Sequence, residues 1–332
     1  MRFAIVGATG LVGGMMRQVL AERSLPIRSI RFLASARSAG RSVEFAGQSH
    51  PVELLRPEAF ADLDVVLSST PAGVSREFSP IAAEAGAVVI DNSSAWRMDP
   101  EVPLVVPEVN AEALARIPRG IVANPNCSTI QLVVALAPLR RLGRIQRVIV
   151  ATYQASSGKG AKGLADLMAQ QSALACGDVM PAPTAHVGPL AGNVLAHDWP
   201  IGSDGFSEEE TKIMRETRKI LADDALRVSA TCARVPVHTG HSEAVTVEFD
   251  RPVSADEARE ALRTAPGVTL CNAATPRDAE GRDDVLISRV RSDPSAPNSL
   301  CLWVVADNLR KGAATNAVQI AEKLVRRGAP AR

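Results

Sequence analysis

The sequence predicts an α/β protein in two parts: a doubly wound domain on a parallel sheet, then an α+β domain with a mixed, mostly antiparallel sheet. Three observations carry this. A glycine-rich turn, Gly7-Ala8-Thr9-Gly10-Leu11-Val12-Gly13, joins the first apolar strand to the first helical pattern. Short apolar strand patterns then alternate with amphipathic helical ones, as in parallel sheets with helical crossovers. Beyond residue 142 the strand patterns lengthen and alternate apolar with polar, as in sheets with one open face. At 332 residues the chain exceeds one ordinary core, so two domains are expected.

In order, strands are expected at 2–6, 29–33, 65–69, 88–91, 104–106 and 121–123, with amphipathic stretches such as 13–22 and 75–85 between them. A helix follows at about 129–142. The second part reads as strands at 147–153, 228–237, 243–250, 285–290 and 300–306, with helices near 160–175, 207–222 and 255–264. The stretch 190–206, rich in Gly, Pro and Asp, reads as a long loop, and 312–327 as a final helix with apolar Ala313, Ala317, Ile320, Ala321 and Leu324.

Composition excludes several function classes. Charged residues make up 22%, the net charge is +1 and aromatics are 3%, so neither a nucleic-acid platform nor a membrane-surface patch is expected. No apolar run approaches the ~20 residues that span a bilayer. The first residues run straight into a strand pattern without a signal peptide, which makes a cytoplasmic location the expectation. Five scattered cysteines lack metal-ligand spacing and suit a reducing compartment.

The glycine turn is where a dinucleotide would sit. Close approach of backbone to a pyrophosphate needs glycine, and the N–H groups of Gly7, Thr9, Gly10, Leu11 and Val12 would face the anion at a helix start. The acid that reads a ribose 2′-OH is absent from the end of the second strand, where Ser35, Arg37 and Ser38 stand instead. A guanidinium there suits a 2′-phosphate, so NADP is preferred over NAD.

Cys127 lies in Asn124-Pro125-Asn126-Cys127-Ser128, between an apolar strand and a helical run. Helix N-termini favour anions and so raise a cysteine's thiolate fraction. Position alone leaves nucleophile and structural thiol equally open. Cys232 and Cys301, inside apolar strand runs, read as core, and Cys176 and Cys271 have no supporting context.

Taken together, several segments resemble aspartate-semialdehyde dehydrogenases. They are the glycine loop, 33–40, Val89-Ile90-Asp91-Asn92-Ser93-Ser94, 103–110, 124–129, Thr152-Tyr153-Gln154, Ser157-Gly158, Arg234 with His241-Ser242-Glu243, and 303–308 leading to 311–322. The resemblance runs nearly end to end. It implies a homodimer with a Rossmann-like NADP domain at 1–128, completed by a C-terminal helix at 311–332, and a catalytic and dimerisation domain at 129–310. The implied reaction reduces aspartyl phosphate to its semialdehyde with release of phosphate, on the route to lysine, threonine and methionine.

That chemistry needs a thiolate to displace phosphate, and Cys127 is the choice. A proton shuttle is also needed. His238 and His241 both sit between two strands, and the resemblance selects His241; a His-x-x-His zinc site is the rival reading, with no third ligand suggested and no metal expected. By resemblance Gln154 orients the substrate, Arg234 grips its carboxylate, Glu209 meets its amine, and Lys212 and Arg97 hold phosphate. A guanidinium fork suits a carboxylate, and an arginine in so apolar a strand as 228–237 is otherwise hard to explain. Glu209 and Lys212 share a helix face but could equally form a solvated ion pair, and Glu208 and Glu210 blur the register. Ser157, Gly158 and Asn308 resemble further cofactor contacts.

The chain also departs from the family wording. Ser156 replaces a small apolar residue, Lys159 adds a cation beside Gly158, and the 190–206 loop carries His197-Asp198-Trp199. Two other readings remain: a reductase of another acyl phosphate, of the N-acetylglutamyl or glyceraldehyde type, and a catalytically silent NADP-binding paralogue.

Overall fold

The computed structural model describes residues 1–327. They form two compact units, one from Met1–Asn126 with the chain from Ala313 onward, the other from Cys127–Gly312. The chain leaves the first unit just before Cys127, so the cysteine belongs to the second unit, two residues ahead of the expected boundary. Residues 328–332 of the expected final helix lie outside the described residues.

The first unit holds a seven-stranded sheet formed by β1 (Arg2–Val6), β2 (Ser29–Ala34), β3 (Ser42–Phe45), β4 (Gln48–Leu54), β5 (Val65–Ser68), β6 (Val88–Asp91) and β7 (Ile121–Ala123). The order is β3-β4-β2-β1-β5-β6-β7, parallel throughout except for the β3–β4 hairpin. β5, β6 and β7 are buried along their whole length, as their unbroken Val/Ile/Leu runs require of strands covered on both faces. Helices α1 (Leu11–Glu22), α2 (Ala72–Glu84) and α3 (Pro107–Asn110) connect strands. The order reverses at β1, whose neighbours β2 and β5 lie on opposite sides. The glycine turn therefore sits at the carboxyl end of the strand where a doubly wound sheet opens a crevice.

Two expectations are corrected here. The segment 104–106 is not a strand: only Leu104 bridges Ala123, because the flanking Pro103 and Pro107 have no N–H to extend a ladder. The β3–β4 hairpin was unforeseen, since its strands are polar and its turn uses Ala46 (φ +50°) and Gly47 (φ +77°) rather than an Asn-Gly signal. The C-terminal helix (Thr315–Arg326), entered through a π-turn at Arg310–Ala314, lays Ala317, Val318, Ile320, Ala321 and Leu324 into this unit's core. Asn316 Nδ2 anchors it to Val105 O (2.9 Å) and Asn124 Oδ1 (2.7 Å).

The second unit is a six-stranded sheet of β8 (Ile145–Gln154), β9 (Arg227–Arg234), β10 (His241–Phe249), β11 (Val268–Leu270), β12 (Val285–Ser292) and β13 (Ser299–Ala306), ordered β11-β12-β13-β10-β8-β9. The β12–β13, β13–β10 and β10–β8 pairs are antiparallel, while β11–β12 and β8–β9 are parallel. Its helices are α4 (Cys127–Leu139), α5 (Gly160–Cys176), α6 (Glu208–Leu221), α7 (Ala255–Arg263) and α8 (Pro276–Ala279). Alternation along the central strands divides the sheet. Val148, Val150, Ala230, Cys232, Val245, Val247, Leu302 and Val304 are buried on one face, with α4, α6 and α7 packed among these strands. Ile149, Tyr153, Cys301 and Trp303 lie on the other; α8 covers its β12–β13 end, where Ala279 packs with Leu286, Val305 and Trp303, while Ile149 and Tyr153 on β8 stay exposed. Cys301 is thus half-buried on that open face rather than core. Helix α4 is wetted almost nowhere: from Ser128 to Leu139 every residue but Ala137 is buried.

Candidate active site

In the first unit, the three glycines of the 7–13 turn do different work. Gly7 has φ +78°, and a Cβ there would lie 2.3 Å from Ser69 O. A Cβ on Gly13 would lie 2.1 Å from Gly7 O, so helix and turn meet only because that position is bare. Gly10 differs: its Cβ would meet nothing closer than Gly7 O at 3.4 Å. The protein's own packing does not demand a glycine there; close approach of a ligand to the backbone would. Gly10 is also the cap residue of α1, with no side chain accepting from the first-turn N–H groups and no acid in that turn. Thr9 and Gly10 are exposed, Leu11 and Val12 half-buried. These features fit a pyrophosphate. At the end of β2, Ser35 and Arg37 are exposed, and Ser38 is buried in a turn closed by its N–H to Ser35 O (2.8 Å).

In the second unit, three strands converge. β8 ends at Gln154, β9 ends at Arg234 in register with it, and antiparallel β10 begins at His241. All three side chains fall on the buried face. Gly158 lies between two of them: a Cβ there would be 2.8 Å from Arg234 Nη1 and 3.5 Å from His241 Nε2.

His241 accepts at Nδ1 from the Ala155 N–H (3.0 Å), so the neutral ring carries its proton on Nε2, which has no hydrogen-bond partner among the described residues. Burial holds its pKa well below the usual histidine value, and the Arg234 guanidinium pushes the same way. His238, its rival, is exposed and bonds Gln171 Oε1 at 2.7 Å. No cluster of three or more His, Cys, Asp or Glu able to hold a metal occurs among the described residues.

Gln154 Nε2 donates to Glu209 Oε1 (3.2 Å) and Thr152 Oγ1 (3.3 Å). The register of 208–210 is thereby resolved: Glu208 points outward, Glu209 is buried beside Gln154, and Glu210 caps α6 through Ser207 and accepts from Cys232 N (2.9 Å). Lys212 Nζ lies 3.6 Å from Glu209 and 3.9 Å from Glu208, so the ion pair that was the alternative reading is present. Ser157 and Asn308 bond each other at 3.0–3.1 Å, and Asn308 Oδ1 also takes the Gly240 N–H (2.8 Å) next to His241. Cys127, half-exposed, is the first residue of α4, and its Cβ would stand 2.9 Å from a Cβ on Gly312. Gly312 went unnoticed in the sequence because its neighbour is 185 positions away.

Arg234 is 1% exposed and more constrained than its strand position implied. Nε donates to Asp198 Oδ2 (2.9 Å), Nη1 to Ala155 O (2.8 Å), and Trp199 stacks against the guanidinium at 4.5 Å. The expectation that nothing structural would explain this arginine is therefore corrected: Asp198, from the 190–206 loop, is a buried counter-ion.

Two family models match the chain: "semialdehyde dehydrogenase, NAD binding domain" over residues 2–117 and "semialdehyde dehydrogenase, dimerisation domain" over 136–311. An aspartate-semialdehyde dehydrogenase of Aquifex aeolicus is 49% identical over 98% of both chains. The chain belongs to the aspartate-semialdehyde dehydrogenase family. A solved aspartate semialdehyde dehydrogenase II of Vibrio cholerae, complexed with ASA, superposes with a TM-score of 0.94 at 44% identity over 98% of both chains. The NADP complex of the Candida albicans enzyme does so at 0.78 with 26% identity over 98% of both.

Other residues singled out by likeness to this family land less simply. Arg97, in the first unit, is buried, with Nε on Asn124 O (3.0 Å) and Nη2 on Asn92 O (2.9 Å), so backbone carbonyls hold much of its guanidinium. Glu243, two residues beyond His241, was not given a role. It is wholly buried, burial pushes its carboxyl well above the usual range, and only the Gln131 amide nearby opposes this. Cys232 is buried too, and burial raises its thiol far out of reach of ionisation. No helix among the described residues is long and apolar enough to cross a membrane.

Proposed function

We propose that this chain is an NADP-dependent aspartate-semialdehyde dehydrogenase, converting L-aspartyl 4-phosphate to L-aspartate 4-semialdehyde and phosphate within lysine, threonine and methionine biosynthesis. The observation that carries the reading is the convergence of Gln154, Arg234 and His241 at one end of three adjacent strands, in a unit whose longest buried helix begins at Cys127. Family membership supports the reaction class, and the ASA complex of the Vibrio cholerae relative supports the substrate.

In this mechanism the Cys127 thiolate attacks the acyl carbon, the bond to phosphate breaks, and a thioester remains. His241, neutral and bearing its proton on Nε2, hydrogen-bonds the acyl oxygen as negative charge develops there. The dinucleotide, when bound, supplies the hydride that reduces the thioester. Gly7, Thr9, Gly10, Leu11 and Val12 would hold its pyrophosphate, Arg37 with Ser35 and Ser38 its 2′-phosphate, and Ser157, Gly158 and Asn308 its reactive end. The tetrahedral oxyanion left by reduction, hydrogen-bonded by His241 Nε2–H, then collapses by breaking its C–S bond, which returns the thiolate and frees the aldehyde. Arg234 grips the α-carboxylate, Glu209 the amine, and Lys212 with Arg97 the phosphate. Arg234 and Glu209 together favour a free amino acid over an N-acylated or phosphorylated-sugar substrate.

The sheet face that carries Tyr153 supports a homodimer. On the part that α8 leaves open, Ile149 and Tyr153 are 40% and 39% exposed and Tyr153 packs on Trp303 (ring centroids 5.6 Å apart), an exposed apolar patch of the kind that a partner covers. Five free cysteines suit a cytoplasmic location.

One assay tests the core of this reading: NADPH formation from aspartate semialdehyde and phosphate, comparing NADP with NAD and wild type with Cys127→Ala. Activity that is phosphate-dependent and lost in the variant is expected. Robust turnover without phosphate would sink the proposal.

A further inference from the structure

The three departures from family wording, Ser156 and Lys159 after β8 and His197-Asp198-Trp199 about 40 residues later, meet around one side chain. Asp198 is 1% exposed and accepts from four directions. Arg234 Nε reaches Oδ2 at 2.9 Å, His186 Nδ1 lies 3.0 Å from the same oxygen, the Val187 N–H is 3.2 Å from Oδ1, and Lys159 Nζ is 3.6 Å from Oδ2 while donating to the Asp198 carbonyl at 2.6 Å. Behind His186, Nε2 meets Ser156 Oγ at 2.8 Å, and that hydroxyl donates to Gly163 O at 2.6 Å. Burial alone would raise the Asp198 carboxyl, but the hydrogen bonds from Arg234 and His186 outweigh it and leave the group below its ordinary value.

The order Ser156–His186–Asp198 is that of a hydrolytic triad, and two facts argue against that use. Ser156 is 0% exposed with its hydroxyl committed to Gly163, and Asp198 is shared with Arg234. The chain of groups instead ends on the guanidinium. The loop also clamps the backbone of the same residue, with Leu195 and Arg234 exchanging both N–H···O bonds at 2.8 and 3.0 Å. Arg234 is thus fixed through its backbone, Nε, one Nη1 hydrogen and the Trp199 ring. The Nη2 group and the second Nη1 hydrogen have no protein partner among the described residues.

We infer that Asp198 is a positioning residue for substrate recognition: held by His186 and Ser156, it locks the Arg234 guanidinium so that the free side of its fork faces the substrate's carboxylate. A fork held in advance loses less freedom on binding, and specificity for a carboxylated aldehyde follows from that pre-organisation. The inference rests on the reading that Arg234 grips the α-carboxylate, and the test separates the two.

Steady-state kinetics with phosphate would compare aspartate semialdehyde with propanal, which lacks both carboxylate and amine. Asp198→Asn keeps the shape and removes the charge. It is expected to raise KM for aspartate semialdehyde by roughly ten- to hundred-fold, with little change in kcat and none in kcat/KM for propanal. An equal loss on both aldehydes would mean a purely structural role and overturn the inference. Should that variant fail to fold, Ser156→Ala tests the far end of the chain. A KM rise of roughly two- to five-fold confined to aspartate semialdehyde supports the inference, and an unchanged KM overturns it. Arg234→Lys is the control for the underlying reading. If it leaves KM for aspartate semialdehyde unchanged, the carboxylate is bound elsewhere and that reading fails. If it abolishes the preference over propanal while Asp198→Asn retains it, only the positioning role fails.

Discussion

The glycine turn at 7–13 follows the carboxyl end of β1 and the loop at 190–206 packs beside the carboxyl end of β9, yet they are held by different forces. The first is held mainly by contact: bare positions at Gly7 and Gly13 let backbone meet backbone, with one guanidinium tie from Arg17 Nε to Ala8 O at 3.2 Å. The second is held by charge: one buried carboxylate gathers an arginine, a lysine and a histidine from three other segments. A turn held by contact is sensitive to one added methyl and indifferent to pH. A loop held by charge tolerates changes of shape but not the loss of a partner.

The strongest way to break that comparison is to remove the carboxylate altogether. Asp198→Ala leaves Arg234 buried without its counter-ion and is expected to cost about 3–5 kcal/mol of stability, read from the denaturant midpoint. A loss below about 1 kcal/mol would mean that the loop is not held by charge. Next is Gly13→Ala, whose Cβ must displace Gly7 O; about 1–3 kcal/mol of destabilisation is expected. Gly10→Ala sharpens the contrast, because its neighbour is at ordinary distance. Its melting temperature should stay put while NADP binding weakens by roughly ten-fold, about 1.4 kcal/mol. A destabilisation matching that of Gly13→Ala would refute the assignment of that glycine to the ligand.

Arg37→Ala probes the same loop's partner at the end of β2. KM for NADP should rise by roughly ten-fold with KM for NAD unchanged, since only NADP carries a 2′-phosphate for the guanidinium to hold. The smallest effect concerns Glu243. Its carboxyl keeps its proton in the folded protein to a pH well above the unfolded value, so its contribution is full below about pH 4.3 and declines as pH rises. Glu243→Gln keeps the neutral shape and should gain about 2–4 °C at pH 8 but nothing at pH 4. His241 works in the opposite sense: it is held neutral, so stability falls as pH drops below about 6.5, where the unfolded chain takes up the proton. Parallel melting curves for wild type and Glu243→Gln across that range would show the carboxyl to be charged after all.

What could be read from the sequence follows the same division. Gly7, Gly10 and Gly13 lie within one strand-turn-helix, so spacing alone exposed them. Strand alternation likewise delivered β8, β9, β10, β12 and β13 to within a few residues, and with them the placement of Gln154 and Arg234; His241, expected in the link before 243–250, is instead the first residue of β10. The β3–β4 hairpin was missed because its polar strands bury only one edge of a sheet and its turn lacks the usual residues. Asp198 was noticed only as an oddity of wording. Its partners Ser156, Lys159, His186 and Arg234 come from segments whose meeting depends on the fold, and no local period encodes such a meeting. Gly312 against Cys127 and the buried Glu243 were missed for the same reason.

Helix α4 gives the thiol its address. Because nearly every residue behind Cys127 is buried, the helix has no wet side on which to roll, and any tilt would have to open the core on several flanks at once. The sulfur is therefore mounted like a tool tip in a chuck. Its aim is set by the packing of the buried Ile130, Leu132, Val133 and Leu136, and under the mechanism proposed above, loosening that grip would blunt the chemistry without touching the thiol itself.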